Sequence, residues 1–464
     1  MDAMAPFAKY IAGTKYEDLP PEVVAATKQH LMHTLATVIA GSSASGCKTI
    51  VDLVAEWGGR EESTILVYGV RLPAVHAALA NAAMGHALDF CLNDDRTDYK
   101  TSIVAVPAAL AAMESKGGMS GKELLTAIYL GVELGIRMAL AINPKPAHAL
   151  SPALGGFASA AAVSKTLGLS SEQILDALSI AYCQVCPSGV GITSPSLTKR
   201  LTPGLAARAG TFSAFLAQKG FTGNRSIMEG PKGYFCTYHG QEGDLEELTS
   251  DLGHRFEIVR VFPKGYPCCR GLHASIEATL NLIKEHHLKA ESVLGVIVYE
   301  STRNPSVETK FDQNVLDRLR HPKGTVDAQF SVPWGVASAI VNGEVFIENF
   351  TEKGINNPEV HRLADKVTVE YDPSLDETEL MSTPSVVEIK TNDGQIYSKR
   401  VDFAKGNPKN PVTLEETREN FRRCAGYAAK PLSKQKVEKA IEIIDRMEHV
   451  ANTRELITLL VGSS

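Results

Sequence analysis

Ionisable side chains gather at four places along the chain. The first is GHALDFCLNDDRTDYKTSIVAVPAAL, Gly85 to Leu110, where His86 and Asp89 close an Ala-rich helical pattern and Asp94, Asp95, Arg96 and Lys100 precede a second apolar helix. A solvated loop is the plain reading of so many charges; a loop that moves protons is the other. The second place is SLTKRLTPGLAARAGTFSAFLA. Thr202 is placed to cap a helix with Pro203 at its first position, which sets Lys199 and Arg200 just upstream of the helix start. Free N–H groups, dipole and ammonium together favour a carboxylate ligand there, against the alternative of two exposed bases in a loop. The third is FPKGYPCCRGLHASIEATL. Its two prolines fix a non-helical turn around Lys264 and Tyr266, and Cys268, Cys269, Arg270 and His273 open the next helix. A hinge with packed Tyr and Cys is the plain alternative. The fourth is His148 in the Pro-rich stretch NPKPAHALSPALGG; an isolated His is more often structural.

Composition narrows the chemistry. The 464 residues suggest two or three domains at about 100–200 residues each. A net charge of −6 with no basic tract argues against nucleic acid as a partner. No apolar run approaches the ~20 residues that span a bilayer, and MDAMAPFAKYIAG has no secretory pattern. Eight scattered cysteines do not form a disulfide scaffold, so a reduced, cytoplasmic protein is expected. The one CxxC, Cys183 and Cys186, has no second pair at zinc-ribbon spacing and reads as core or loop rather than metal site. There is no GxxxxGK[ST], HExxH or GxSxG, and the glycines of GLAARAG and GGFASA lie in helical context. Neither a nucleotide nor another cofactor is expected.

These residues need elements to hold them. To about Phe262 the chain reads as successive helices, as in PPEVVAATKQHLMHTLATVIAG, with Pro107 expected to kink or restart one of them. Thereafter SVLGVIVYES and DKVTVEYDP read as strands. SVVEIKTNDGQIYSKRVDF reads as a hairpin about Asp393-Gly394, with DAQFSVPWGVASAIVNG and NPEVHRLAD helical between strands. After KGNPKNPVT the chain is helical again. The expected fold class is therefore mostly α: a large all-helical domain of residues 1–262 plus 411–464, with an inserted α+β domain of residues 263–410. A cleft at the junction is the expected ligand site.

Four separated motifs, NAAMGHALDF, LTKRLTPGLAARAGTFSAFLAQKGF, KGYPCCRGLHASIEA and AQFSVPW, resemble the 2-methylcitrate dehydratase family (MmgE/PrpD), which includes cis-aconitate decarboxylase and iminodisuccinate epimerase. The likeness runs in order along almost the whole chain. It implies a helical domain, an α+β lid, a homodimer, and a cofactor-free site between the domains for a small polycarboxylate. His86 and Asp89 match the first motif, but Cys91 and Leu92 stand where the family has two acids, and Lys100 where it has a His. Lys199 matches, Thr202 replaces a frequent His, and Lys264, Tyr266, Cys269 and His273 match the third motif. His148 corresponds to the family's mid-chain His.

The chemistry implied is proton abstraction beside a carboxylate. Lys199, Lys264 and Arg270 would hold carboxylates and the charge that develops on them, with His86, Arg200, Tyr266, Cys269 and His273 as further substrate contacts. Asp89, His148 or Lys100 would move protons. Lys100 acts as a base only if desolvation and neighbouring cations strip its proton; charged, it is a clamp or an acid. Loss of a hydroxyl or carboxyl group would make a lyase, a dehydratase or decarboxylase. Return of the proton to the opposite face would make an epimerase. A relative that only binds acids is the third reading.

Overall fold

The computed structural model describes residues 2–142, 150–184, 196–240, 243–301, 318–376 and 383–463. His148 and Cys186 lie outside them. The fold is mostly α. Its first part runs through α1 (Ala5–Gly13), α2 (Pro21–Gly41), α3 (Cys47–Trp57), α4 (Ala74–His86), α5 (Ser102–Ser115), α6 (Gly121–Leu140), α7 (Leu150–Leu167), α8 (Ser171–Tyr182) and α9 (Thr198–Gln218). Local signals start several of these. Pro stands in the first turn of α2, and reciprocal Ser120–Glu123 and Ser170–Gln173 capping boxes open α6 and α8.

Small residues let these helices approach backbone to backbone. A Cβ on Gly210 of α9 would lie 2.1 Å from Ser159 Oγ of α7, and one on Gly204 would lie 2.6 Å from the Leu79 carbonyl of α4. Helix α9 is thereby locked between the helix that ends at His86 and α7. One continuous apolar cluster takes buried side chains from Met4 to Val261, then Phe346 and Ile347, and again from Phe421 to Leu460. The C-terminal helix Leu414–Ala425 returns to pack on α2.

A second apolar cluster is built from Cys268 to Ala404. Short strands β1 (Ser63–Thr64) and β2 (Arg71–Leu72) pair in the helical part, whereas β3 (Val293–Glu300), β4 (Val367–Tyr371), β5 (Ser385–Thr391) and β6 (Ile396–Val401) form one sheet in the order β4-β3-β5-β6. The β3/β4 pair is parallel and the others antiparallel. The β5–β6 hairpin turns at Asp393-Gly394, where Gly394 takes the left-handed φ of +85° that its missing Cβ permits. Helices His273–His286 and Val332–Asn342 contribute the side chains that cover this sheet. Among the described residues no helix is long and apolar enough to cross a membrane.

Three local expectations are corrected. Helix α9 begins at Thr198, so Lys199 and Arg200 occupy its first turn and Pro203 lies inside it. Thr202 caps nothing by accepting; its hydroxyl donates to the Lys199 carbonyl at 3.0 Å, the acceptor whose helical partner Pro203 lacks. Pro107 does not restart a helix, since α5 runs uninterrupted across it. The stretch DAQFSVPW is divided at Phe330–Ser331 between helices Thr325–Gln329 and Val332–Asn342. Of the two readings of the charged loop, the solvated one fails: Asn93, Asp94, Asp95, Thr97 and Tyr99 are buried.

Candidate active site

Helix α4 ends at His86, and the chain turns at once. The Asp89 amide donates to the His86 carbonyl at 3.1 Å, and Asp89 adopts a left-handed φ of +51°, a region Asp tolerates better than most side chains. That conformation directs its carboxylate at two ammonium groups. Lys199, from the first turn of α9, donates to Asp89 Oδ1 at 2.6 Å. Lys264, from the Pro-bounded turn, donates to Asp89 Oδ2 at 2.7 Å.

The two lysines are held differently. Lys264 is 1% exposed, and its ammonium also donates to the carbonyls of Asp89 and Cys268, each at 2.9 Å, so its three hydrogens are all engaged. Lys199 has Asp89 as its one hydrogen-bond acceptor among the described residues and lies 5.1 Å over the Phe330 ring. Two of its N–H donors thus remain for a ligand.

Electrostatics fix the charge states. Burial raises the Asp89 pKa, but Lys199 and Lys264 outweigh it and hold the carboxyl well below its ordinary range. Burial lowers Lys264, and Asp89 more than reverses this, so Lys264 stays an ammonium. His86 is pushed well below 6.5 by burial and then by Lys199; the imidazole is neutral, with Cys91 Sγ 3.4 Å from Nδ1. Burial raises the Cys91 and Cys268 thiols, which remain protonated. The centre is one carboxylate between two cations, with Asp89 and Lys264 buried and the Lys199 side chain 11% exposed.

The other expected residues are placed around this centre. Lys100 pairs with Asp98 at 2.6 Å rather than with Asp89, although its charge still acts on Asp89 and His86. Arg200 is buried and donates to the Ser45 carbonyl and to Thr325 Oγ1, the latter at 2.6 Å. Tyr266 packs edge-on against His273 at 5.2 Å, and burial pushes its phenol upward. The Cys269 amide donates to the Gln329 carbonyl at 2.8 Å. Arg270 forks onto Asp95, and His273 is neutral, lowered by burial and then by Arg270. Among the described residues, no group of three or more His, Cys, Asp or Glu is placed to hold a metal ion.

Two neighbours escaped the sequence reading. Gln329 is 1% exposed, with Nε2 3.5 Å from the Ala87 carbonyl and Oε1 unpartnered, and Phe330 lies beneath Lys199. The AQFSVPW motif held both, but neither carries a charge to mark it.

Helical scaffold and sheet unit together enclose an acid centre whose surplus is cationic, the arrangement of a protein that handles small anions. The chain belongs to the MmgE/PrpD family: residues 5–245 match the MmgE/PrpD N-terminal domain and residues 266–448 the MmgE/PrpD C-terminal domain. It is similar to the cis-aconitate decarboxylase of Homo sapiens, at 28% identity over 99% of this chain and 94% of that protein. A cis-aconitate decarboxylase-like protein of Aspergillus oryzae is 26% identical over 99% of this chain and 97% of its own. The cis-aconitate decarboxylase of Aspergillus terreus is 25% identical over 96% and 94%.

Proposed function

We propose that this protein is a cofactor-independent carboxy-lyase for a small unsaturated di- or tricarboxylic acid of the cis-aconitate kind. The observation that carries this reading is the Asp89 carboxylate held between Lys199 and Lys264, with two Lys199 donors uncommitted. The decarboxylases to which the chain is similar supply the reaction class.

A β,γ-unsaturated acid loses CO₂ when the bond between its carboxylate and the α-carbon breaks. That electron pair forms a new C=C bond. The old π pair moves to the far carbon and takes up a proton there. If the far carbon bears a second carboxylate, the developing charge spreads onto its oxygens. Fixed cations in a dry site stabilise this charge more than they stabilise the substrate. Lys199 is assigned that carboxylate. Lys264 holds Asp89 and the local backbone. Lys100, an ammonium on Asp98, and His148 are the assigned proton carriers. His86 and Arg200 shape the walls.

Residues 263–410 are assigned as the lid over a helical domain of residues 1–262 plus 411–464. A cytoplasmic location fits the thiols of Cys47, Cys91, Cys268 and Cys424, none of them in a disulfide. A second copy of the chain is assigned to an exposed apolar stripe on α9. Leu205 and Phe212 are 45% and 47% exposed there, and nearby Trp57, 55% exposed, lies 5.5 Å from the His76 ring, on which Arg208 of α9 acts electrostatically.

Turnover of cis-aconitate by wild type and Lys199→Ala tests the reading. Stoichiometric CO₂ release by wild type and its loss in a folded Lys199→Ala protein are expected. Solvent deuterium entering a chiral dicarboxylic acid at its α-carbon, with loss of optical activity and no CO₂, would identify an epimerase instead. Thermal stabilisation by tricarboxylates without turnover would identify a binding protein.

A further inference from the structure

The loop after Asp89 and the segment after Lys264 are joined twice. The first joint is the Asp89–Lys264 pair at 2.7 Å. Six residues further along each segment, Arg270 Nε and Nη2 donate to the two oxygens of Asp95, both at 2.7 Å. Such a fork fixes angle as well as distance. The second joint is also shut from water: Asp95 is buried and the Arg270 side chain is 13% exposed.

Nothing of the Arg270 guanidinium is left over. Nη1 donates to His273 Nδ1 at 3.0 Å and to the Lys405 carbonyl at 2.8 Å, and Nη2 reaches the Ala404 carbonyl at 3.3 Å. With Asp95 this makes five contacts for the five N–H groups that arginine possesses. Asn407 Nδ2 closes the set by donating to Asp95 Oδ2 at 2.8 Å. Guanidinium cannot accept, so His273 Nδ1 must be the acceptor and its proton must sit on Nε2, 3.4 Å from the Cys268 carbonyl. The far side of the loop is anchored too. Asp94 binds Arg96, Arg96 binds Glu257, and the Glu257 amide donates to the buried Glu133 carboxylate at 2.9 Å.

We propose that Asp95 and Arg270 are positioning residues, and that Arg270 does not bind substrate. Their joint keeps residues 89–95 and 264–270 aligned while a substrate carboxylate competes with Asp89 for the lysines. Only that last role rests on the proposed function; the alignment itself does not. The joint is independent of substrate because every donor in it ends on protein. It also fixes the tautomer of His273 and ties the return segment 404–407 to the same point, so three distant stretches of chain move together.

The test uses the full chain with Asp95→Asn, Arg270→Lys and the milder Asn407→Ala. Asp95→Asn keeps the shape but removes the charge, and Arg270→Lys keeps the charge but removes the fork. Amide hydrogen exchange in peptides spanning 89–100 and 264–273 is expected to quicken at least tenfold in the first two variants and less in Asn407→Ala. Peptides of α7 should be unchanged. In turnover, kcat is expected to fall at least tenfold with KM within twofold, and Arg270→Lys should not rescue. Unchanged exchange in Asp95→Asn overturns the proposal. So does an Arg270→Lys protein whose KM rises tenfold at unchanged kcat, the mark of a lost substrate contact. If wild type turns over no acid, the proposed function fails, and hydrogen exchange still decides whether the joint positions these segments.

Discussion

Lys199 and Lys264 share one carboxylate, yet replacing them should have opposite consequences. Lys264→Met removes an ammonium that is 1% exposed and engages three acceptors. Asp89 keeps Lys199, but two backbone carbonyls lose their donor. Breaking a buried ion pair on one side costs about 3–5 kcal/mol. At roughly 2 °C per kcal/mol for a chain of this size, the melting midpoint should fall by about 6–10 °C. Lys199→Met removes one hydrogen bond and one ring contact from a side chain that is 11% exposed. Its cost should stay under about 2 kcal/mol, or ~4 °C. Turnover should nevertheless vanish in Lys199→Met, because the donors free for substrate are there. Differential scanning fluorimetry beside a CO₂-release assay reads both quantities. Equal losses of melting midpoint in the two variants, or near-wild-type turnover in Lys199→Met, would refute the division of labour.

Three further outcomes follow from the packing, the buried imidazoles and the exposed stripe. Gly41→Ala would set a Cβ 1.9 Å from the Met84 carbonyl at the α2/α4 contact beneath His86, so it should cost about 3 kcal/mol by chemical denaturation, whereas Gly13→Ala, with nothing within 4 Å, should be neutral or slightly stabilising. His30 and His33 are buried neutral, their pKa lowered to about 4 by burial, so between pH 6.5 and about 4 the unfolded chain binds protons that the native one refuses. Stability should therefore fall as pH drops through that window, by up to about 3 kcal/mol per imidazole, and the fall in melting midpoint should be shallower in His30→Gln; parallel curves would contradict this. Phe212→Glu should convert the proposed dimer to monomer by sedimentation at unchanged helicity, and an unchanged sedimentation coefficient would move the interface elsewhere.

Elements whose signals are local could be read from the residues alone. The Asp393-Gly394 hairpin and the Pro21–Gly41 helix are of this kind, because turn chemistry and apolar period lie within one stretch. The start of α9 misled because Thr202-Pro203 imitates a cap, whereas the Thr202 hydroxyl compensates for the proline inside the helix. The loop from Asn93 to Lys100 left two readings open because composition counts charges but not their partners; Asp94 and Asp95 are buried by arginines up to 175 residues away. The meeting of Asp89 with Lys199 and Lys264, across 110 and 175 residues, has no local signal at all. The family resemblance suggested it, and the tight α4/α9 contact at Gly204 brings it about.

Because Asp89 already pairs with both lysines, a stray anion finds only the spare Lys199 donors open. Chloride or a simple monoacid can reach only those spare donors, and going further by displacing the pre-placed carboxylate would gain it little. A guest with several carboxylates can take the spare Lys199 donors with one arm and settle elsewhere with another. Discrimination by ligand valency then needs no wall shaped to exclude small molecules; competition from within the protein sets the threshold.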